Sequence, residues 1–287
     1  MAVNAQPVEM FGLGVYAGAR RQALRSILED GGKVFFVNAH CFNVAHSDPR
    51  YRRALKEADL TLPDGSGVAL AARMLGRSFT ENLNGTDLFP HLCRAAAAAG
   101  ASVYFLGGAP GAAADAARAA ERLAPGLRVA GTRHGYFSRA EEPEIVAEIN
   151  ASGADIVLVA LGVPAQELWI ARNRERLAAR SLLGVGGLFD FAAQRVTRAP
   201  AWVRRLGCEW AWRLAMEPRR MARRYLLGNP LFLWRAALHA VVQRARGARG
   251  GSGRTRAAAM RAASMRATAV RDASPLAALQ ARPERLQ

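Results

Sequence analysis

VFFVNAHCFNVA at residues 34–45 and LTLPDGSGVALAARML at residues 60–75 decide the fold class. Each opens with a short apolar run rich in β-branched or aromatic residues, ends that run beside a polar residue, and passes into a longer helical pattern. The same unit recurs outward from them. Runs at Val103–Leu106, Leu127–Ala130, Ile156–Ala160 and Leu182–Val185 join Val34–Val37 and Leu60–Leu62 as candidate strands. Helical patterns occupy 39–57, 66–76, 86–99, 111–123, 141–151 and 164–179. This alternation predicts an α/β fold with a Rossmann-like, mostly parallel sheet flanked by helices, in which ligands sit at the carboxyl ends of the strands.

The polar residues and glycines fall at those ends. Asn38 follows the first run, Asp64 and Gly65 the second, and Gly107 and Gly108 the third; Gly162 and Gln166 follow the fifth, and Gly186, Gly187 and Asp190 the sixth. A carboxylate at the Asp64 position can take the proton of an attacking hydroxyl. It can equally cap the helix that follows. In LGVPAQELWI, 161–170, Gly162 lets the backbone approach a ligand, Pro164 starts a helix and Gln166 points back toward the strand ends, although an ordinary strand-to-helix connection reads the same way. The turns at Gly107–Gly108 and at 184–187 suit a diphosphate at a helix N-terminus. Neither is GxGxxG, and Gly12, Gly14 and Gly18 have the wrong spacing, which weighs against a nicotinamide oxidoreductase.

No D-x-D triplet occurs, the five histidines show no ligand spacing, and Cys41, Cys93 and Cys208 lie far apart. The expectation is therefore no bound metal and no cofactor, in a reducing cytoplasm.

Charge divides the chain. Residues 1–194 carry 20 Lys plus Arg against 19 Asp plus Glu, and residues 195–287 carry 20 against 4. A near-neutral body thus bears a strongly basic end, which calls for an anionic partner: nucleic acid, a lipid surface or a phosphorylated substrate. Trp202, Leu206, Trp210 and Leu214 recur at helical spacing beside arginines, and Arg219, Arg220, Arg223 and Arg224 follow Pro218. Arginine binds phosphate in a fork and tryptophan favours the membrane interface, so lipid contact competes here with a solvated helix face. A nucleic-acid role would leave the polar strand ends without a purpose. Three regions are predicted: a catalytic α/β domain at 1–197, a basic amphipathic helical appendage at 198–246, and a disordered tail at 247–287. The stretch Tyr225–Val242, broken by Asn229, Pro230 and Arg235, falls short of a membrane span. With no secretory signal read at the start, a peripheral protein on the cytoplasmic face is expected, whether monomer or oligomer.

Taken together, FVNAH (36–40), ADLTLPDGSGVALAARMLG (58–76), NGTDLF (84–89), YFLGG (104–108), GYF (135–137), LGVPAQELWI, GVGGLFDF (184–191) and RAPAWVRRLGCEWAWRLAMEPRRMARRYL (198–226) resemble the WecG/TagA/CpsF family of bacterial glycosyltransferases. The resemblance implies inverting, metal-independent transfer of an N-acetylmannosamine-type, glucose-type or uronic-acid sugar from UDP to a polyprenyl-diphosphate-linked sugar, in cell-surface or exopolysaccharide synthesis. It makes Asp64 the general base and the UDP-sugar a co-substrate. Asn38, Gln166 and Asn84 would contact the donor sugar. Gly107, Gly108, Gly162, Gly186, Gly187, Asp190 and Tyr136 would hold the nucleotide. Arg213, Arg220, Arg223 and Arg224 with Trp202 and Trp210 would meet the lipid diphosphate and the anionic inner-membrane surface. Two positions depart from the family pattern: Phe36 stands where some members have Thr, and Glu81–Asn84 lacks an expected Arg. An arginine of the appendage would then supply the missing diphosphate contact, or the donor geometry would differ.

Overall fold

The computed structural model describes residues 6–244 except Asn82, and only the backbone of Arg220. The predicted tail, 247–287, lies outside the described residues. Strands β1 (Val8–Met10) and β2 (Leu13–Val15) form an antiparallel hairpin. Its two-residue turn, Phe11–Gly12, has positive φ at both positions (54° and 78°), the turn that matches strand twist. The hydrophobic pattern predicts neither this hairpin nor helix α1 (Arg20–Arg25).

Six strands make the main sheet: β3 (Gly32–Val37), β4 (Leu60–Pro63), β5 (Ser102–Gly107), β6 (Arg128–Arg133), β7 (Ile156–Ala160) and β8 (Ser181–Gly184). Their order is β4-β3-β8-β7-β5-β6, all parallel. All six predicted runs are strands of this sheet. The buried strands are continuous hydrophobic runs because helices cover both faces. One face carries α2 (Ala39–Ser47), α3 (Pro49–Lys56), α4 (Ser66–Met74), α7 (Glu142–Ala151), α8 (Ala165–Asn173) and the hairpin. The other carries α1, α5 (Gly85–Ala98), α6 (Ala112–Leu123) and α9 (Leu188–Ala192). The helices after β3 and β8 therefore leave on opposite faces, and the crevice between these adjacent strands is where such a sheet places its ligands.

One long helix was expected over 39–57; two form. Asp48 accepts from the N–H groups of Arg50 (2.9 Å) and Tyr51 (3.3 Å), and Pro49, which has no N–H, opens α3. The basic segment is likewise broken. It folds as α10 (Ala201–Arg205), α11 (Glu209–Met216), α12 (Pro218–Ala222) and a wide π-turn at Arg223–Gly228, and residues 229–237 are helical. Gly207, with φ of 70°, and Pro218 interrupt what periodicity alone makes continuous.

The described residues up to Ala237 pack as one compact unit, which contains the change of charge at 194/195; a second unit starts at Leu238 and is helical through its described part. Phe232 seals the first unit's end, stacking on Phe42 at 5.4 Å and meeting Phe11 at 6.0 Å. Among the described residues no helix is long and apolar enough to cross a membrane.

Candidate active site

At the carboxyl end of β3, Asn38 caps α2. Its Oδ1 accepts from the N–H groups of His40 (3.1 Å) and Cys41 (3.3 Å), which turns Nδ2 toward Asp64. Nδ2 donates to Asp64 Oδ2 at 3.0 Å. Asp64 sits at the end of the neighbouring strand β4, with its N–H held by Val37 O at 2.9 Å. It does not cap α4: the cap residue is Gly65, with φ of 88° and no side-chain bond. The half-buried Asp64 carboxylate keeps one oxygen beyond the Asn38 contact.

Arg224 reaches the same amide, its Nη2 donating to Asn38 Oδ1 at 3.2 Å. The turn that carries it is clamped to α2, since Asn43 Nδ2 donates to Gly228 O at 2.7 Å and Arg235 Nη1 donates to Asn43 Oδ1 at 2.9 Å. Burial first, and Arg224 second, push His40 down to about 4, so the imidazole is neutral near pH 7. Ser66 Oγ donates to Gly207 O at 2.9 Å, tying the start of α4 to the turn between α10 and α11. Arg213 lies over the Phe191 ring of α9 at 4.9 Å. The basic segment thus contacts the ends of β3–α2, β4–α4 and β8–α9.

The glycine turns belong to the same rim. Gly107 has φ of 127°, and a Cβ there would lie 2.4 Å from Ala160 O, so only glycine fits. Gly135 N–H donates to Gly108 O at 2.9 Å, which brings the following residue, the 72 % exposed Tyr136, beside that turn. A cleft of about 380 Å³ opens nearby, lined by Gly111, Thr132, Arg133 and His134 among others. Gly186 and Gly187 precede α9, which at five residues is too short to offer much of a dipole.

Two residues expected at the donor sugar are engaged elsewhere. Asn84 is the cap of α5: its Oδ1 accepts from Asp87 N–H and its Nδ2 donates to Asp87 Oδ2, both at 2.8 Å. Asp87 in turn pairs with Arg198 at 2.7 Å, and Asn84 is only 7 % exposed. Gln166, 2 % exposed, is a strut between strand ends, with Oε1 accepting from Gly186 N–H and Nε2 donating to Glu167 Oε1, each at 2.9 Å. Phe36 is core, not site. Trp202 and Trp210 are exposed at 64 % and 39 %; Arg223 is exposed without a described contact. Leu226, Leu227 and Trp234 are also exposed, and helical periodicity alone does not mark them.

A half-buried carboxylate, two ordered amides, glycine turns and an arginine from a basic segment on one sheet edge suit transfer to or from a phosphorylated ligand. Residues 8–246 match the glycosyl transferase WecG/TagA/CpsF family. The chain belongs to that family. It is a glycosyltransferase, and the family match takes in the basic segment as well as the sheet. Among relatives, it is similar to an N-acetylglucosaminyldiphosphoundecaprenol N-acetyl-beta-D-mannosaminyltransferase of Bacillus spizizenii, 34 % identical over 195 residues, which are 68 % of this chain and 74 % of that protein. For a WecG/TagA/CpsF transferase the edge formed by β3, β4 and β8 is thus the candidate catalytic edge.

Proposed function

We propose that the chain transfers a sugar from a UDP donor to a polyprenyl-diphosphate-linked sugar at the inner face of the membrane, by a single displacement with inversion and without a metal ion. The contact that carries this reading is Asn38 Nδ2 on Asp64 Oδ2, with Arg224 on the same amide. Asp64 takes the proton of the acceptor hydroxyl as its oxygen attacks the anomeric carbon. The bond from that carbon to the diphosphate oxygen breaks, and UDP leaves with the electron pair. Arg224, Arg213 and the glycine-turn amides other than Gly108 N–H, held by Ala160 O, and Gly186 N–H, held by Gln166, meet the charge that develops on the leaving diphosphate, each such donor commonly being worth about 10²- to 10³-fold in rate. Tyr136 offers an exposed ring on which a pyrimidine can stack. The acceptor class rests on the Bacillus spizizenii relative, whose name describes a sugar carried on diphosphoundecaprenol; the donor sugar is one of the three types named above.

The test is UDP release from a panel of UDP-sugars, with and without a short-chain polyprenyl-diphosphate-GlcNAc, in EDTA and in Mg²⁺. Acceptor-dependent release that persists in EDTA is expected; release abolished by EDTA and restored by Mg²⁺ would overturn the metal-independent mechanism, and none with any donor would overturn the transferase assignment to these substrates. Docking through Trp202, Trp210 and the arginines predicts co-flotation with phosphatidylglycerol vesicles but not with phosphatidylcholine ones, weakening as salt rises past the Debye regime. Equal binding to both vesicles at all salt concentrations would remove the arginines from that role.

A further inference from the structure

Asn38 and Gln166 stand on a buried polar cluster for which the chemistry above has no use. Glu167, next to Gln166 in the first turn of α8, is fully buried. Its Oε1 accepts from Gln166 Nε2 at 2.9 Å, while Oε2 is buried with no hydrogen-bond partner among the described residues. Neighbouring elements add two ionisable groups. Cys41 of α2 has its Sγ 3.5 Å from Asn38 Oδ1, and the buried hydroxyl of Tyr51 in α3 faces that thiol. Arg224 acts electrostatically on both from its turn. A buried carboxyl whose donors are only the Gln166 amide and its own backbone N–H is costly, and an apolar side chain of similar size would pack α8 without that penalty. What glutamate adds is an acceptor.

That acceptor selects the orientation of the Gln166 amide. A side-chain amide has two orientations of nearly equal shape, and its neighbours choose between them. The Gly186 N–H needs an oxygen, which Gln166 supplies at 2.9 Å, so Nε2 must face Glu167. The fit is close, since a Cβ on Gly184 would lie 3.1 Å from Nε2. We propose that Glu167 is a positioning residue of the transferase site, whose buried carboxyl holds the Gln166 amide against the Gly186 N–H and so sets the glycine turn at the end of β8. The catalytic consequence rests on the transferase reading; the contact itself does not.

Burial pushes the Glu167 carboxyl up to about 7, against the Gln166 hydrogen bond that favours its charged form. Its charge state therefore changes near neutrality. Once ionised, Oε2 becomes a buried charge without a donor, and relief by entering water or a shifted first turn loosens Gln166. Because the folded-state value lies above that of an ordinary carboxyl, the stability tied to this group is whole below the ordinary range and is lost as pH rises to about 7.

The experiment uses the full chain labelled with ¹⁵N-glycine, the Gly186 resonance being assigned by its loss in Gly186→Ala. In the wild type that resonance is expected to shift with a midpoint near pH 7, and in Glu167→Gln, which keeps an acceptor but cannot ionise, to stay flat. In parallel, kcat/KM of the wild type falls on the alkaline side roughly fivefold relative to Glu167→Gln, whereas Glu167→Leu is about tenfold impaired at every pH, a size typical of a lost supporting contact. Identical movement of Gly186 in wild type and Glu167→Gln, or a Leu variant as active as the Gln variant, would overturn the proposal. The resonance needs no substrate. A Gly186 that titrates through Glu167 in a protein without transfer activity would refute the transferase reading alone, and a flat Gly186 in an active enzyme would refute the positioning role alone.

Discussion

Asp64→Asn is expected to lower acceptor-dependent UDP release by about 10²- to 10⁴-fold, the range of a lost general base, with UDP affinity changed by no more than about threefold. The substitution keeps the shape and lets the new amide oxygen accept from Asn38 Nδ2, so the packing at the ends of β3 and β4 survives. What is lost is a group able to take a proton. The geometry separates this from a structural effect: Asp64 caps no helix, its backbone N–H is held by Val37 O whatever the side chain, and Gly65 is the cap of α4. A fall in melting temperature should therefore be small while turnover collapses. Isothermal titration with UDP beside single-turnover measurements checks both halves. A variant that transfers sugar at near wild-type rate would remove Asp64 as the base, and the neutral His40 in the first turn of α2 would be the next group to examine.

The sheet was legible because each strand is a short apolar run between turn residues, and Ile156–Ala160 coincides with β7 to the residue. Strand ends were legible for the same reason, and they placed Asn38 and Asp64 at the ends of the first two runs, which the sheet then pairs as neighbours. Helix length was read less well. Periodicity carried 39–57 across Asp48–Pro49, although an Asx cap followed by proline is itself a start signal. The hairpin at 8–15 was missed because three-residue strands give almost no period, yet Leu13 and Val15 alternating after Gly12 carried the trace of it. The larger gap concerned side-chain partners. A sequence places Asn84 and Gln166 near strand ends, but whether an amide faces a ligand or the protein depends on which backbone N–H groups lie beside it. Asp87 N–H claims Asn84 and Gly186 N–H claims Gln166. Glu167 shows the complementary case: a buried glutamate reads as exposed polarity until the fold places α8 against α3.

Arg224→Ala is expected to reduce kcat by about 10²-fold, with Arg224→Lys recovering only part of it, because one oriented donor at a developing phosphate charge is worth that much and an ammonium cannot reproduce the guanidinium fork. The position of Arg224 is built by the fold. Its turn is held by Asn43 on Gly228 O and by Arg235 on Asn43 Oδ1, and the Phe42–Phe232 stack pins the helix that follows. These contacts outlast removal of the guanidinium, so Arg224→Ala should fold normally. The variant also takes a cation away from His40, whose low value arises first from burial, so the imidazole should move upward only part of the way to its ordinary range. Histidine NMR titration reads that shift directly, and it marks the presence of the arginine over α2 independently of turnover. Arg25, exposed and paired with Glu29 before the amino end of β3, is the control: Arg25→Ala should leave both kcat and the His40 titration unchanged. Should Arg224→Ala move His40 without slowing transfer, the arginine orders the Asn38 amide but does not meet the leaving diphosphate. The charge on UDP would then fall to Arg213 and the glycine-turn amides, and the basic segment would act at this edge as an anchor rather than as part of the chemistry.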